Sequence, residues 1–286
     1  MDTAYAPTTQ EKESENYEFF NGFGAFACEG REYEILLEGN NRPPVPWINV
    51  VSNKNFGFQI SESGAGFTWS INSRENKLTP WSNDPVSDRA SEAIYVLDEM
   101  TGEVMTPMSL GRSDRGTYRV RHGFGYSRFL HEEAQVDQEL TVFTPLDESL
   151  KLWSLTLTNR SDKVKYLSLT YYVEWVLGTQ GEQTNPYILT TYDNEHECLY
   201  AKNIYTMNFQ NTYSYLFSSE TIIGYTGDRK EFLGQKGSVR EPRGAEVKLS
   251  CNTGVCYDPA ERSRYPLHYS PKRAGRCCSG WGRAPA

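Results

Sequence analysis

The stretch KLWSLTLTNRSDKVKYLSLTYYVEWVLG, residues 151–178, decides how this chain is read. Its first half sets Trp153, Leu155 and Leu157 on one side of an extended segment. Its second half sets Leu167, Leu169, Tyr171, Val173, Trp175 and Leu177 on one side, alternating with Ser168, Thr170, Tyr172 and Glu174. A period of two belongs to a strand with one buried face, and Asn159-Arg160-Ser161-Asp162-Lys163 between the halves is turn chemistry. The pattern predicts an antiparallel hairpin.

Further strands lie outward from it. Gln138–Thr144 (QELTVFT) is closed by Pro145, and Glu92–Leu97 (EAIYVL) runs into the turn residues 98–102. Nineteen Tyr, thirteen Phe and six Trp in 286 residues, with frequent Thr, Ser and Asn, is strand composition; 23 Gly and 14 Pro supply turns. No segment holds the i, i+3, i+4, i+7 apolar spacing of a helix. The expected class is all-β: a large antiparallel sandwich over residues 19–259, preceded by a polar linker at 1–18. From Ala260 the alternation stops and Arg, Cys and Pro crowd together with six Lys+Arg and one Glu, so 260–286 is expected to be a basic tail without order, as a reading-frame change would leave.

Charge and cysteine usage bound the function. A formal charge of −8 argues against a nucleic-acid binder, which needs a basic stripe to displace counterions. The longest apolar run, Tyr166 to Gly178, is broken by Glu174 and too short for a bilayer, and the first residues lack a signal-peptide pattern. A cytoplasmic protein with reduced thiols is expected: Cys28 and Cys198 are solitary, Cys251 and Cys256 are five apart, Cys277 and Cys278 adjacent, and four His give no zinc spacing. No cofactor or metal is expected.

The motifs are sparse. Gly22-Phe23-Gly24, Gly64-Ala65-Gly66 and Gly123-Phe124-Gly125 are not phosphate-cradling loops, and there is no G-x-S-x-G elbow. His122 and His131, with Glu132, Glu133 and Glu174, could form an epimerase-type acid/base site if strands brought them together. The segment Ser61 to Asp88, SESGAGFTWSINSRENKLTPWSNDPVSD, is read as a long polar loop carrying Trp69, Arg74 and Trp81. Large rings beside hydrogen-bonding groups suit a sugar or an interface; Arg74 or Arg121 would suit a carboxylate or phosphate. A loop whose Asn and Ser serve only its own turns remains the alternative.

The runs NGFGAFACEGREYEI (21–35), PPVPWINVVSNKNFGFQISESGAGFTWSINSRENKLTPWSNDPVSD (43–88), YRVRHGFGYSRF (118–129), ELTVF (139–143), LTNRSDKVKYLSLTYYVEWVLG (157–178) and YTGDRKEFLG (225–234) resemble the N-terminal domain of glycoside hydrolase family 94, formerly glycosyltransferase family 36. The resemblance covers residues 19–259 and is nearest the phosphorylase-like region of cyclic β-1,2-glucan synthases. It implies a β super-sandwich of the galactose mutarotase-like kind, followed in the family by linker helices and an (α/α)6 barrel. There a general-acid Asp assists phosphate in attacking the anomeric carbon of a β-glucan with inversion, giving α-glucose 1-phosphate. In the glucan synthases this region is implied in controlling chain length, and those relatives are associated with the inner membrane.

No barrel fits in the residues after 259, so the general acid has no position here. The expectation is a truncated, non-catalytic domain with no catalytic residue. Its implied partners are the barrel and, in the full-length relatives, a β-glucan oligosaccharide and phosphate; a homodimer stays open. Trp69, Arg74, Trp81 and Arg121 are the candidates for a carbohydrate or domain-interface contact. A stand-alone carbohydrate-binding module and an epimerase-like enzyme are the alternative functions.

Overall fold

The computed structural model describes residues 17–113, 115–206, 209, 211–245 and 247–255, and the backbone alone of 259–269 and 274–285. The expected linker at 1–18 lies almost wholly outside the described residues. Among those described, the strands form three antiparallel sheets. The largest has ten strands in the order β1 (Gly24–Ala27), β2 (Glu32–Glu38), β8 (Thr117–Gly123), β9 (Tyr126–Glu133), β10 (Val136–Phe143), β11 (Leu150–Asn159), β18 (Ala274–Pro285), β15 (Thr212–Ser218), β14 (Cys198–Asn203) and β13 (Ile188–Asp193). The second has five: β16 (Gly224–Asp228), β17 (Pro259–Tyr269), β12 (Lys165–Glu174), β6 (Glu92–Asp98) and β7 (Val104–Met105). The third joins β3 (Ile48–Ser52), β4 (Phe56–Ser61) and β5 (Gly66–Ser70). Among the described residues helix is confined to single turns, α1 (Gly181–Thr184), α2 (Arg229–Leu233) and two short 3-10 segments.

Trp153, Leu155, Leu157, Leu169, Tyr171, Val173 and Trp175 are all buried, as the period of two requires. The hairpin is not formed. β11 pairs with β10 and β18, whereas β12 pairs with β6 and β17. The turn at 159–163 therefore carries the chain from one sheet to the other, and the two strands meet face to face. The Trp153 and Tyr171 rings pack edge-on at 5.1 Å across that gap. Alternation states which face is buried; it does not state whether the neighbour lies beside the strand or opposite it. β12 is also covered on its second face, where Tyr172 stacks on Phe232 of α2 at 4.9 Å. Asp228 caps that helix by accepting from the Lys230 amide at 2.9 Å, and Gly234, at φ +85°, ends it.

The backbone after 259 also differs from the sequence expectation. Residues 259–269 pair between β12 and β16, and 274–285 between β11 and β15. Pairing uses main-chain N–H and C=O groups, and without these two segments both sheets would be split at open edges. The loss of side-chain alternation could not reveal that.

The two large sheets are also tied through charge. Lys151 of β11 and Glu92 of β6, both buried, meet at 2.8 Å; Thr68, Thr79 and Tyr171 hydroxyls donate to the same carboxylate. The third sheet is pinned by Asn49, whose amide donates to the Gly123 and Tyr126 carbonyls at 3.0 and 2.9 Å. Asn53 does the same for the Pro145 and Glu148 carbonyls. One face of this small sheet enters the core through Val51, Phe56, Phe58 and Ile60. Its other face looks outward.

Candidate functional site

The segment 61–88 is not the polar loop expected from its composition. Its first ten residues complete β4 and form β5, and Ser61, Ser63, Ala65, Thr68, Asn76, Leu78 and Thr79 are buried. Thr68 serves Glu92, and Asn76 donates to the Ser70 carbonyl, so polar side chains here satisfy internal acceptors. Only the turn around 71–75 and the stretch 81–87 are exposed.

On the outward face of the small sheet, the register places Ile48 and Val50 of β3, Gly57 and Gln59 of β4, and Phe67 and Trp69 of β5 side by side. Phe67 lies 5.2 Å from both Trp69 and Trp81, tilted against the first and stacked on the second. Gly57 makes the arrangement fit. A β-carbon there would stand 2.6 Å from the Trp69 ring and 2.7 Å from the Ser52 β-carbon, so only glycine lets the ring lie flat across β4. Ile48, Val50 and Trp81 are about half exposed, and Val86 almost fully.

Next to this surface is a cleft of about 240 Å³ lined by Val45, Ile48, Gln59, Trp81, Asp84, Asp88 and Arg89. Asp84 shapes its rim: the Ser87 hydroxyl foremost, and then the Val86 and Ser87 amides, donate to its carboxyl and hold it below the usual range. Asp88 accepts from the Ser61 and Ser63 hydroxyls at 2.7 and 2.5 Å. Glu62, close by, is buried and takes the Trp47 amide at 2.7 Å; burial, helped by the charge of Asp88, pushes it up to about 7. The cleft is smaller than usual ligand pockets and better matched to one inserted side chain or sugar ring.

The structure brings Trp69 and Trp81 together around Phe67. Arg74 sits at the tip of the adjoining turn, its side chain 89% exposed and loosely paired with Glu75 at 3.4 Å, and Asn72 holds the turn through the Arg74 and Glu75 amides. Arg121 stands apart, on the outer face of the ten-stranded sheet. Its guanidinium is held by Glu34 at 2.6 Å and Glu32 at 3.7 Å, with Arg119 adding to Glu34 and Tyr17 and Tyr126 donating to the same two acids. This is a charge lattice between β2 and β8 that continues through Arg128–Glu139 and Arg160–Asp137, so Arg121 is not a free anchor for an anion.

The expected acid/base constellation is dispersed. His122 is neutral: burial pushes it down to about 4, its Nε2 faces the Trp47 carbonyl at 3.3 Å and its Nδ1 the Ser127 hydroxyl at 2.9 Å. His131 faces the Thr117 carbonyl, and Glu174, at the end of β12 in the other sheet, is held by Arg89 and Arg229. His131 and Glu133 lie 3.6 Å apart, but His122 and Glu174 lie elsewhere, so the set as a whole converges on no common point. Sequence reasoning missed Ile48, Val50, Gly57 and Phe67. Alternation in INVVS and FGFQIS, read together with GFTWS as one small sheet, would have put them on a shared face.

Over 251 residues the chain is 42% identical to the cyclic β-(1,2)-glucan synthase NdvB of Rhizobium meliloti (strain 1021), covering 85% of this chain and 9% of that protein. It is 27% identical over 247 residues to the N,N'-diacetylchitobiose phosphorylase of Vibrio proteolyticus, covering 82% of this chain and 30% of the other. The chain thus spans less than a third of the length of these relatives. A bacterial glucoamylase complexed with acarbose superposes on 88% of this chain and 36% of its own, at a TM-score of 0.49 and 8% identity. The family description "Glycosyl hydrolase 94, supersandwich domain" matches residues 31–276, which agrees with the antiparallel sheets described above, and the chain belongs to that family.

Proposed function

We propose that this chain is the non-catalytic β domain of a larger β-glucan-processing enzyme, of the phosphorylase or cyclic-glucan-synthase kind that its relatives' names describe. The surface formed by Ile48, Val50 and Trp81, with half-buried Trp69 beside them, seats a catalytic domain, the helical barrel that the family resemblance implies. The observation that carries this reading is that surface itself. Ile48, Val50 and Trp81, each about half exposed, flank the buried Phe67 ring on which Trp81 stacks, and an exposed apolar patch of this kind marks an interaction face. Arg74 supplies a planar fork of donors at its edge for a carboxylate on the partner. Aromatic and Arg side chains are the residue types that dominate interface energetics. Among the described residues no helix is long and apolar enough to cross a membrane; we place the domain in the cytoplasm, where its Cys28, Cys198 and Cys251 stay reduced.

The cleft beside Trp81 favours a second reading, a carbohydrate contact, with the ring against a sugar face and Asp84 or Arg89 against its hydroxyls. Two assays on the purified chain separate the readings. Incubation with β-glucan oligosaccharides and phosphate is expected to release no glucose 1-phosphate, and turnover that survives stringent purification refutes the non-catalytic role. Millimolar or weaker binding on a β-glucan array supports the domain-seat reading, whereas micromolar binding abolished by Trp81→Ala supports the carbohydrate contact.

A further inference from the structure

Away from the aromatic surface, the outward face of the ten-stranded sheet carries a groove of about 630 Å³, within the usual range of ligand sites. Strand alternation builds it. Tyr118, Val136, Leu140, Leu155 and Leu157 turn inward and are buried, so their chain neighbours turn outward. The register then lays two rows across the strands: Arg119, Leu130, Glu139 and Thr156 in one, Glu132, Asp137 and Thr158 in the other. Arg160, just past β11, adds to the wall. All of these except Glu132 and Arg160 are half-buried, and Leu130 is the apolar part of the floor. Arg119 also borders a second, mainly apolar hollow of about 310 Å³ against Phe20, Ala25 and Leu36, where the Tyr17 hydroxyl donates to Glu34 at 2.7 Å.

The chemistry of these groups narrows the occupant. The carboxylates of Glu132, Asp137 and Glu139 stand against the guanidinium groups of Arg119 and Arg160. Arg119 is already engaged by Glu34 at 3.5 Å and Arg160 by Asp137, so an anion finds no unmet positive charge. Among the described residues no group of His, Cys, Asp and Glu side chains is placed to hold a metal ion. An extended peptide binds through main-chain groups, and those of β8 to β11 are taken up in the ladders. What stays open is hydrogen-bonding capacity on side chains. The Thr117, Thr156 and Thr158 hydroxyls and the Glu132 carboxylate make no bond to a described residue, and Glu139 meets Arg128 only at 3.5 Å. A sugar hydroxyl donates to a carboxylate and accepts from a hydroxyl or guanidinium at once, while the CH face of the ring suits Leu130 and Phe20.

We propose that this groove, running from Arg119 across Leu130 and Glu139 to Thr156 and Thr158, binds a neutral oligosaccharide, a glucan chain laid across the strands. Neighbouring strands stand about 4.8 Å apart, close to the length of one pyranose, so successive sugars meet successive strands. The hollow beside Phe20 lies at one end of that path. The choice of a glucan among neutral sugars rests on the function proposed above; the groove itself is separate from the aromatic surface and from the Trp81 cleft.

The test is titration calorimetry of the full chain with linear β-(1,2)-gluco-oligosaccharides of increasing length, with glucose as the control. The longer chains are expected to bind with a Kd of about 1 mM, and glucose about tenfold more weakly or worse. Glu139→Gln and Thr156→Val, both on the outward face and clear of the core, should each weaken binding about threefold to tenfold. Affinity should vary less than about twofold with ionic strength, since a neutral ligand offers no charge for salt to screen. Trp81→Ala should leave binding unchanged; the domain seat and the non-catalytic role are read by other assays, so they and the groove fail separately. No saturable binding by the unaltered chain overturns the proposal. So does binding kept in full by both groove variants, binding abolished by Trp81→Ala, or an affinity that falls steeply with salt.

Discussion

Lys151→Met removes one member of the buried pair that links the two large sheets while keeping most of the side-chain volume. Lys151 Nζ lies 2.8 Å from Glu92 Oε2, over the Phe58 ring at 4.5 Å and the Trp153 ring at 5.1 Å. Burial pulls the lysine below its ordinary value, and the Glu92 charge opposes that. At an effective dielectric of about 20 the bare attraction at this distance is roughly 6 kcal/mol, and desolvation of two ions takes back most of it. Removing one partner, however, leaves the other charge buried, which typically destabilises by about 3–5 kcal/mol. Glu92 would keep the Thr68, Thr79 and Tyr171 hydroxyls, so the lower end, about 3 kcal/mol, is expected. Glu92→Gln together with Lys151→Met removes both charges and should recover more than half of that loss. Urea unfolding of the single and double variants at pH 7 reads both quantities. A Lys151→Met variant within about 1 kcal/mol of the unaltered chain would refute the reasoning, as would a double variant less stable than either single one.

Two further predictions concern the site. Gly57→Ala places a β-carbon 2.6 Å from the Trp69 ring and is expected to destabilise by about 1–3 kcal/mol while changing the near-ultraviolet dichroism of tryptophan; an unchanged spectrum and midpoint would show that the ring does not lie across β4. Glu62, pushed up from 4.5 to about 7, holds its proton in the folded chain where the unfolded chain has lost it. Its contribution is full below pH 4.5 and is lost as pH rises through 7, an effect of about 3 kcal/mol. Glu62→Gln should therefore match the unaltered chain at pH 4.5 and exceed it at pH 8, with urea midpoints as the readout. His122 has the opposite sign: pushed down to about 4, it resists protonation in the fold, so stability falls as pH drops from 6.5 to 4. In the Glu62→Gln variant that acid loss stands unopposed, and a pH-independent midpoint would contradict it.

The period of two in residues 151–178 marked seven buried side chains correctly, because burial depends on which face a residue occupies. It misassigned the pairing, since stacking across a sandwich and pairing within a sheet produce the same alternation. Trp69 and Trp81 were legible as rings out of place in a polar segment; their common neighbour Phe67 and the glycine beneath Trp69 were not, because both depend on cross-strand register. The partners of Arg121 were hidden for the same reason. Its partners Glu32 and Glu34 lie on a strand nearly ninety residues away, yet alternating acids in EYEILLE and alternating arginines in TYRVRHG did contain the signal.

The central claim is that the surface around Ile48, Val50 and Trp81 seats another domain and is not core. One paired measurement on Trp81→Ala tests it most directly: unfolding of this chain, and activity of an intact relative such as the cyclic β-(1,2)-glucan synthase carrying the equivalent change. Trp81 is half exposed and stacks on one ring, so the chain should lose only about 1 kcal/mol. In the intact enzyme, loss of an interface anchor should lower activity about tenfold or more. A loss above about 3 kcal/mol in the chain, with activity unchanged in the relative, would show that the ring is ordinary packing and that the catalytic domain sits elsewhere.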